Sequence, residues 1–100
     1  MEFNIYFNKK IDREEVKRRL TAEGLTLGHM GYLVSVVHCS CSRNEYETLF
    51  NQRVSVDPQV GYCSEEKATI PSHLTDLIKD VVLEEILPSV ENSFYFRDQK

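Results

Sequence analysis

From Glu2 to Asn8 the chain alternates, with Phe3, Ile5 and Phe7 set against Asn4, Tyr6 and Asn8. Successive strand residues point to opposite faces, so this is the pattern of a strand with one buried and one open side. Such a strand needs neighbours to pair with and a layer over its apolar side.

The next residues supply that layer. Asp12 is placed to cap a helix, Glu14 and Glu15 complement its positive end, and Lys17, Arg18 and Arg19 its negative end, before Gly24 stops it. Val16 and Leu20, four apart, give this helix one apolar face. After a loop flanked by Gly28 and Gly31, Tyr32 to Cys41 is rich in β-branched residues and reads as a second strand. Residues 42 to 52 carry two signals. Ser42 with Glu45 makes a capping box and Tyr46, Leu49 and Phe50 have helical spacing, yet Tyr46, Thr48 and Phe50 also alternate. A short helix is the favoured reading. Arg53 to Asp57 reads as a strand ended by Pro58, with Val60 to Cys63 continuing the sheet after a turn.

Ser72 is placed to cap the longest predicted helix. There Leu74, Leu77, Ile78, Val81, Val82 and Ile86 form a broad apolar stripe that runs until Pro88. Ser93 to Arg97 then reads as a closing strand with Phe94 and Phe96 on one side. This order predicts a single α+β domain over residues 1–100, a two-layer sandwich with two main helices on an antiparallel or mixed sheet. The arrangement is ferredoxin-like or a related split β-α-β form, with Phe94 and Phe96 brought beside Phe3, Ile5 and Phe7. A chain of 100 residues holds one ordinary core.

Composition narrows the setting. Hydrophobic residues make up 41% and charged residues 28%, the balance of a folded globular chain. The longest apolar runs fall well short of the roughly 20 residues that span a bilayer, and the start lacks the basic and apolar segments of a secretory signal. Cys39, Cys41 and Cys63 are an odd number and too few for a disulfide framework. These features point to a cytoplasmic protein with reduced thiols.

The run His38-Cys39-Ser40-Cys41 contains residue types that bind zinc or form a nucleophile-base pair. On a strand, His38 and Cys39 face opposite ways and cannot pair. A closed zinc site needs four ligands, usually with Cys-x-x-Cys spacing. No metal and no cofactor is therefore expected. His73 and Asp76, three apart, make two ligands and no site, and His29 is uninformative. Phosphate-cradling loops and hydrolase elbows are missing. An active site assembled from distant residues, such as His38, Tyr6 and Glu85, would leave no local motif.

Charge points to a partner. Met1 to Gly24 holds six basic and five acidic residues, net +1, whereas Ser72 to Lys100 holds three basic and six acidic, net −3, within a chain of net −4. On the predicted long helix Asp76, Asp80 and Glu84 stack on one face, while Leu83 and Leu87 widen the apolar stripe. Arg13, Lys17, Arg18 and Arg19 are offset by nearby acids, so direct nucleic-acid binding is not expected. The leading expectation is a non-catalytic binding protein. Asp76, Asp80, Glu84, Glu85, Leu83 and Leu87 would then dock a basic protein partner such as a nuclease-type toxin, as immunity proteins do as a class. Two alternatives stand beside it: a small-molecule enzyme or sensor on a dimeric sandwich, and a structural or assembly subunit with a self-associating edge.

Overall fold

The computed structural model of the chain describes residues 1–83. Strand β1 (Glu2–Asp12) leads into helix α1 (Arg13–Thr21), followed by β2 (Thr26–Leu27) and β3 (Leu33–Ser40). Helix α2 (Arg43–Phe50) precedes a hairpin of β4 (Ser55–Asp57) and β5 (Gly61–Cys63). A single 3-10 turn (Ser72–Leu74) then leads to β6 (Ile78–Leu83). Together these make an α+β protein with two helices, a four-stranded antiparallel sheet ordered β2-β3-β1-β6, and the separate β4-β5 hairpin.

Local chemistry accounts for the boundaries. The Asp12 carboxylate accepts the Glu14 N–H at 3.0 Å and opens α1, and Gly24 at φ +86° turns the chain after it. Ser42 and Glu45 form a reciprocal capping box at 3.1 and 2.9 Å, which resolves the ambiguous segment in favour of helix α2. Asn51 closes that helix in the left-handed conformation, at φ 46°.

The core forms between one sheet face and both helices. Phe3, Ile5, Phe7, Val37 and Cys39 from the sheet pack with Val16 and Leu20 of α1 and Tyr46 and Phe50 of α2. Edge-to-face rings tie α2 down, with Phe3 4.8 Å from Tyr46 and 5.8 Å from Phe50.

The largest correction concerns the predicted long helix. Ser72 caps nothing, the helical turn ends at Leu74, and Ile78–Leu83 pairs antiparallel with β1. Of the predicted stripe, Leu74, Leu77, Ile78 and Val81 lie in the core, whereas Val82 is exposed on the other side of the sheet. A register shift explains the mimicry. Phe7 pairs with Ile78 and Tyr6 with Asp80, so Lys79 is an extra residue in β6. That bulge turns Ile78 and Val81, three apart, to the same face, which is also the spacing of a helical stripe. The β-branched Ile78, Val81 and Val82 favour the strand.

A second correction follows. The place beside β1 assigned to Phe94 and Phe96 is taken by β6, since β1 is flanked by β3 and β6. Ser93 to Arg97 lies outside the described residues, as do Ile86 and Pro88.

Candidate functional site

No described element covers the other face of the large sheet. Across it, Tyr6 of β1 sits between Val36 of β3 and Asp80 of β6, and Asn4 sits between His38 and Val82. Tyr6, Val36 and Val82 are 41%, 43% and 44% exposed. Directly opposed or diagonal strand positions are close enough to touch, so these three form one patch. Leu33, exposed beside inward-facing Val34, extends it at the start of β3, and Tyr32 lies under the Arg13 guanidinium at 5.0 Å. Of the seven large hydrophobic side chains exposed among the described residues, four lie on the strands of this sheet, Val56 and Val60 lie on or beside the hairpin, and Tyr32 precedes β3 under Arg13. Apolar groups gathered this way mark a contact surface more than scattered ones do.

Polar groups frame the patch. Glu2 Oε1 lies 2.7 Å from His38 Nε2, and Asn4 Oδ1 lies 3.4 Å from His38 Nδ1. The Asp80 carboxylate accepts the N–H of adjacent Val81 at 2.8 Å and forms no ion pair within the described residues. Tyr6 and His38, suggested as members of a dispersed active site, do share this face. Glu85 lies outside the described residues.

The acidic residues expected on one helix face have separate fates. Asp76 stands in the turn before β6, where Arg19 of α1 grips both its oxygens at 2.9 Å and donates to the His73 carbonyl at 2.8 Å. The guanidinium holds the Asp76 carboxyl below the usual carboxylate range. Asp76 is thus an internal strut between α1 and β6, reinforced by His73 Nε2 at 2.9 Å from Glu23. Among the described members of this group, Asp80 is the one presented outward on the open sheet. Leu83 pairs with Phe3 and packs half-buried against the core. Glu84, Glu85 and Leu87 lie outside the described residues.

The thiols are dispersed. Cys39 is fully buried, and desolvation pushes its thiol up to about 12. Cys41 is half-buried at the end of β3, with its thiol also raised by burial, and Cys63 lies on the hairpin 3.5 Å from the Ser55 hydroxyl. Among the described residues no cluster of three or more His, Cys, Asp or Glu is placed to hold a metal, and no helix is long and apolar enough to cross a membrane.

Sequence reasoning missed the open face as a site because Tyr6 sits at a polar position of the β1 alternation, while Val82 falls within the stripe read as the buried side of a helix. Tyr6 was correctly placed opposite Phe7, and the available signal was that a tyrosine and two valines occupy outward positions on adjacent strands. Comparison with known protein families, with curated proteins and with solved structures finds no match to this chain.

Proposed function

We propose that this chain is a non-catalytic binding protein that docks a basic protein partner on the open face of its sheet. On this reading it is an acidic inhibitor that occupies the cationic surface of a partner such as a nuclease-type toxin, in the manner of immunity proteins. The observation that carries it is the continuous exposed patch of Tyr6, Val36 and Val82, framed by the carboxylates of Glu2 and Asp80. An apolar centre with a charged rim is the usual anatomy of a protein interface, and tyrosine is a frequent anchor. The net charge of −4 supplies long-range attraction to a cationic surface.

The same reading extends to architecture and setting. Antiparallel neighbours in the order β2-β3-β1-β6 support a ferredoxin-like split β-α-β arrangement, with α1 crossing from β1 to β2 and α2 lying between β3 and β6 in sequence. Three thiols, none in a disulfide, suit the reducing environment of a cytoplasm.

The test is binding to a panel of purified basic nuclease domains, followed by biolayer interferometry between 20 and 300 mM salt. Asp80→Lys should slow association and flatten the salt dependence, while Tyr6→Ala should speed dissociation. Binding untouched by both substitutions, or no binding by any panel member, overturns the proposal.

A further inference from the structure

At the edge of the sheet opposite β6, α1 and the segment from Leu25 to Met30 enclose a groove of about 540 Å³. Its helical wall is built from Arg13, Lys17 and Thr21, positions four apart on one face of α1. Its other wall is the edge strand β2, whose inner side is fixed to β3 by the pairs Thr26 with Ser40 and Leu27 with Cys39. The Gly28 N–H continues that ladder to the His38 carbonyl at 2.7 Å. A β-carbon on Gly28 would stand 3.3 Å from that oxygen, so glycine permits the close approach.

Alternation then fixes the outer side. Because Gly28 bonds inward, the N–H and C=O of Leu27 point away from β3 toward the groove. An outward-facing pair on an edge strand is a template for another extended chain. Leu25 and Met30 are buried below it and give the groove an apolar floor.

Charge selects among extended chains. The ionisable groups along the groove are Arg13, Lys17, His29 and a single carboxylate, Glu14, which lies 3.5 Å from the Arg13 guanidinium. Lys17 forms no ion pair within the described residues, in a chain whose net charge is −4. This is a cationic site on an acidic protein. The nine residues of α1 span roughly 13 Å, the length of about four residues of extended peptide.

We propose that this groove binds an extended acidic peptide, which adds to the sheet beside β2 through the Leu27 backbone and sets its carboxylates against Lys17 and Arg13. The site is independent of the open sheet face. Its residues line neither Tyr6 nor Asp80, and β2 and β6 are three strand spacings apart, roughly 14 Å.

The experiment is an NMR titration of the ¹⁵N-labelled full chain with a blocked pentapeptide of alternating valine and glutamate. Two comparison probes are the same peptide with lysine for glutamate, and the acidic peptide N-methylated at its central residue. Saturable amide shifts should centre on Leu27, Gly28 and His29, and N-methylation should remove them. Lys17→Glu should weaken binding about tenfold, as reversing one close charge contact would. Lys17 is exposed, so an unchanged spectrum of the free variant confirms that its fold is intact, and Lys17→Gln should give an intermediate loss. Equal binding of the lysine peptide, shifts centred on Tyr6 and Val36, or full affinity of Lys17→Glu would each overturn the assignment.

Discussion

Replacing Tyr46 with phenylalanine isolates one buried polar link that ties α2 to the chain beyond it. The Tyr46 hydroxyl donates to Gln52 Oε1 at 2.5 Å, and Gln52 Nε2 donates to the Glu66 carbonyl at 2.8 Å. Tyr46 is fully buried and Gln52 is 8% exposed, so neither group recovers a water partner easily. Phenylalanine keeps the ring packing on Phe3 and Phe50 and removes only the hydroxyl. What it leaves is a buried amide oxygen without its donor, a cost of about 1–3 kcal/mol. Gln52→Leu strands the Tyr46 hydroxyl and the Glu66 carbonyl at a similar cost of about 1–3 kcal/mol. The double variant loses both ends of the Tyr46–Gln52 bond at once. Its destabilisation should therefore fall short of the summed singles by about 1 kcal/mol. Urea unfolding gives all four stabilities, with the slope unchanged if compactness is preserved. Thermal midpoints should fall by roughly 4–8 °C per kcal/mol in a domain of this size. Strict additivity, or a Tyr46→Phe variant as stable as the parent, would refute the link.

Two further outcomes are expected. The Asp76 carboxyl is held low in the folded state by Arg19. Its contribution is therefore present above its unfolded value near 3.8 and is lost as pH falls through the lower folded value. Urea midpoints of Asp76→Asn should accordingly respond less than the parent's to acidification below that value, and parallel acid limbs would contradict the strut. Val82→Ala distinguishes strand from helix at β6. On an exposed strand position the change should destabilise by about 0.5 kcal/mol, whereas in the buried apolar stripe of a helix it would cost about 2 kcal/mol or more.

Legibility in the sequence tracked how local the determining physics was. The Asp12 cap, the Ser42–Glu45 box and the Phe3-Ile5-Phe7 alternation act within a few residues, and all three are present in the fold. The region after Ser72 failed because its pattern was degenerate. The bulge at Lys79 gives a strand the same three-residue spacing as a helix, and only pairing with β1 decides between them. Asp76, assigned to a docking face, was claimed by Arg19 across 57 positions of sequence, a contact no local pattern announces. Strand β2 was missed for a related reason. Two residues carry no periodicity, and Thr26 and Leu27 are extended because β3 offers them an edge.

The β4-β5 hairpin forms a sheet of its own. It is anchored near its base, where Val54 N–H donates to Glu47 and the Ser64 hydroxyl to the Arg53 carbonyl, while at its tip Asp57 accepts the N–H groups of Gln59 and Val60. The tip thus closes on itself without drawing on the large sheet. Foreign sequence grafted between Asp57 and Gly61 would perturb its own turn and leave the register of the four main strands as it is, making this the natural handle for labels and epitopes.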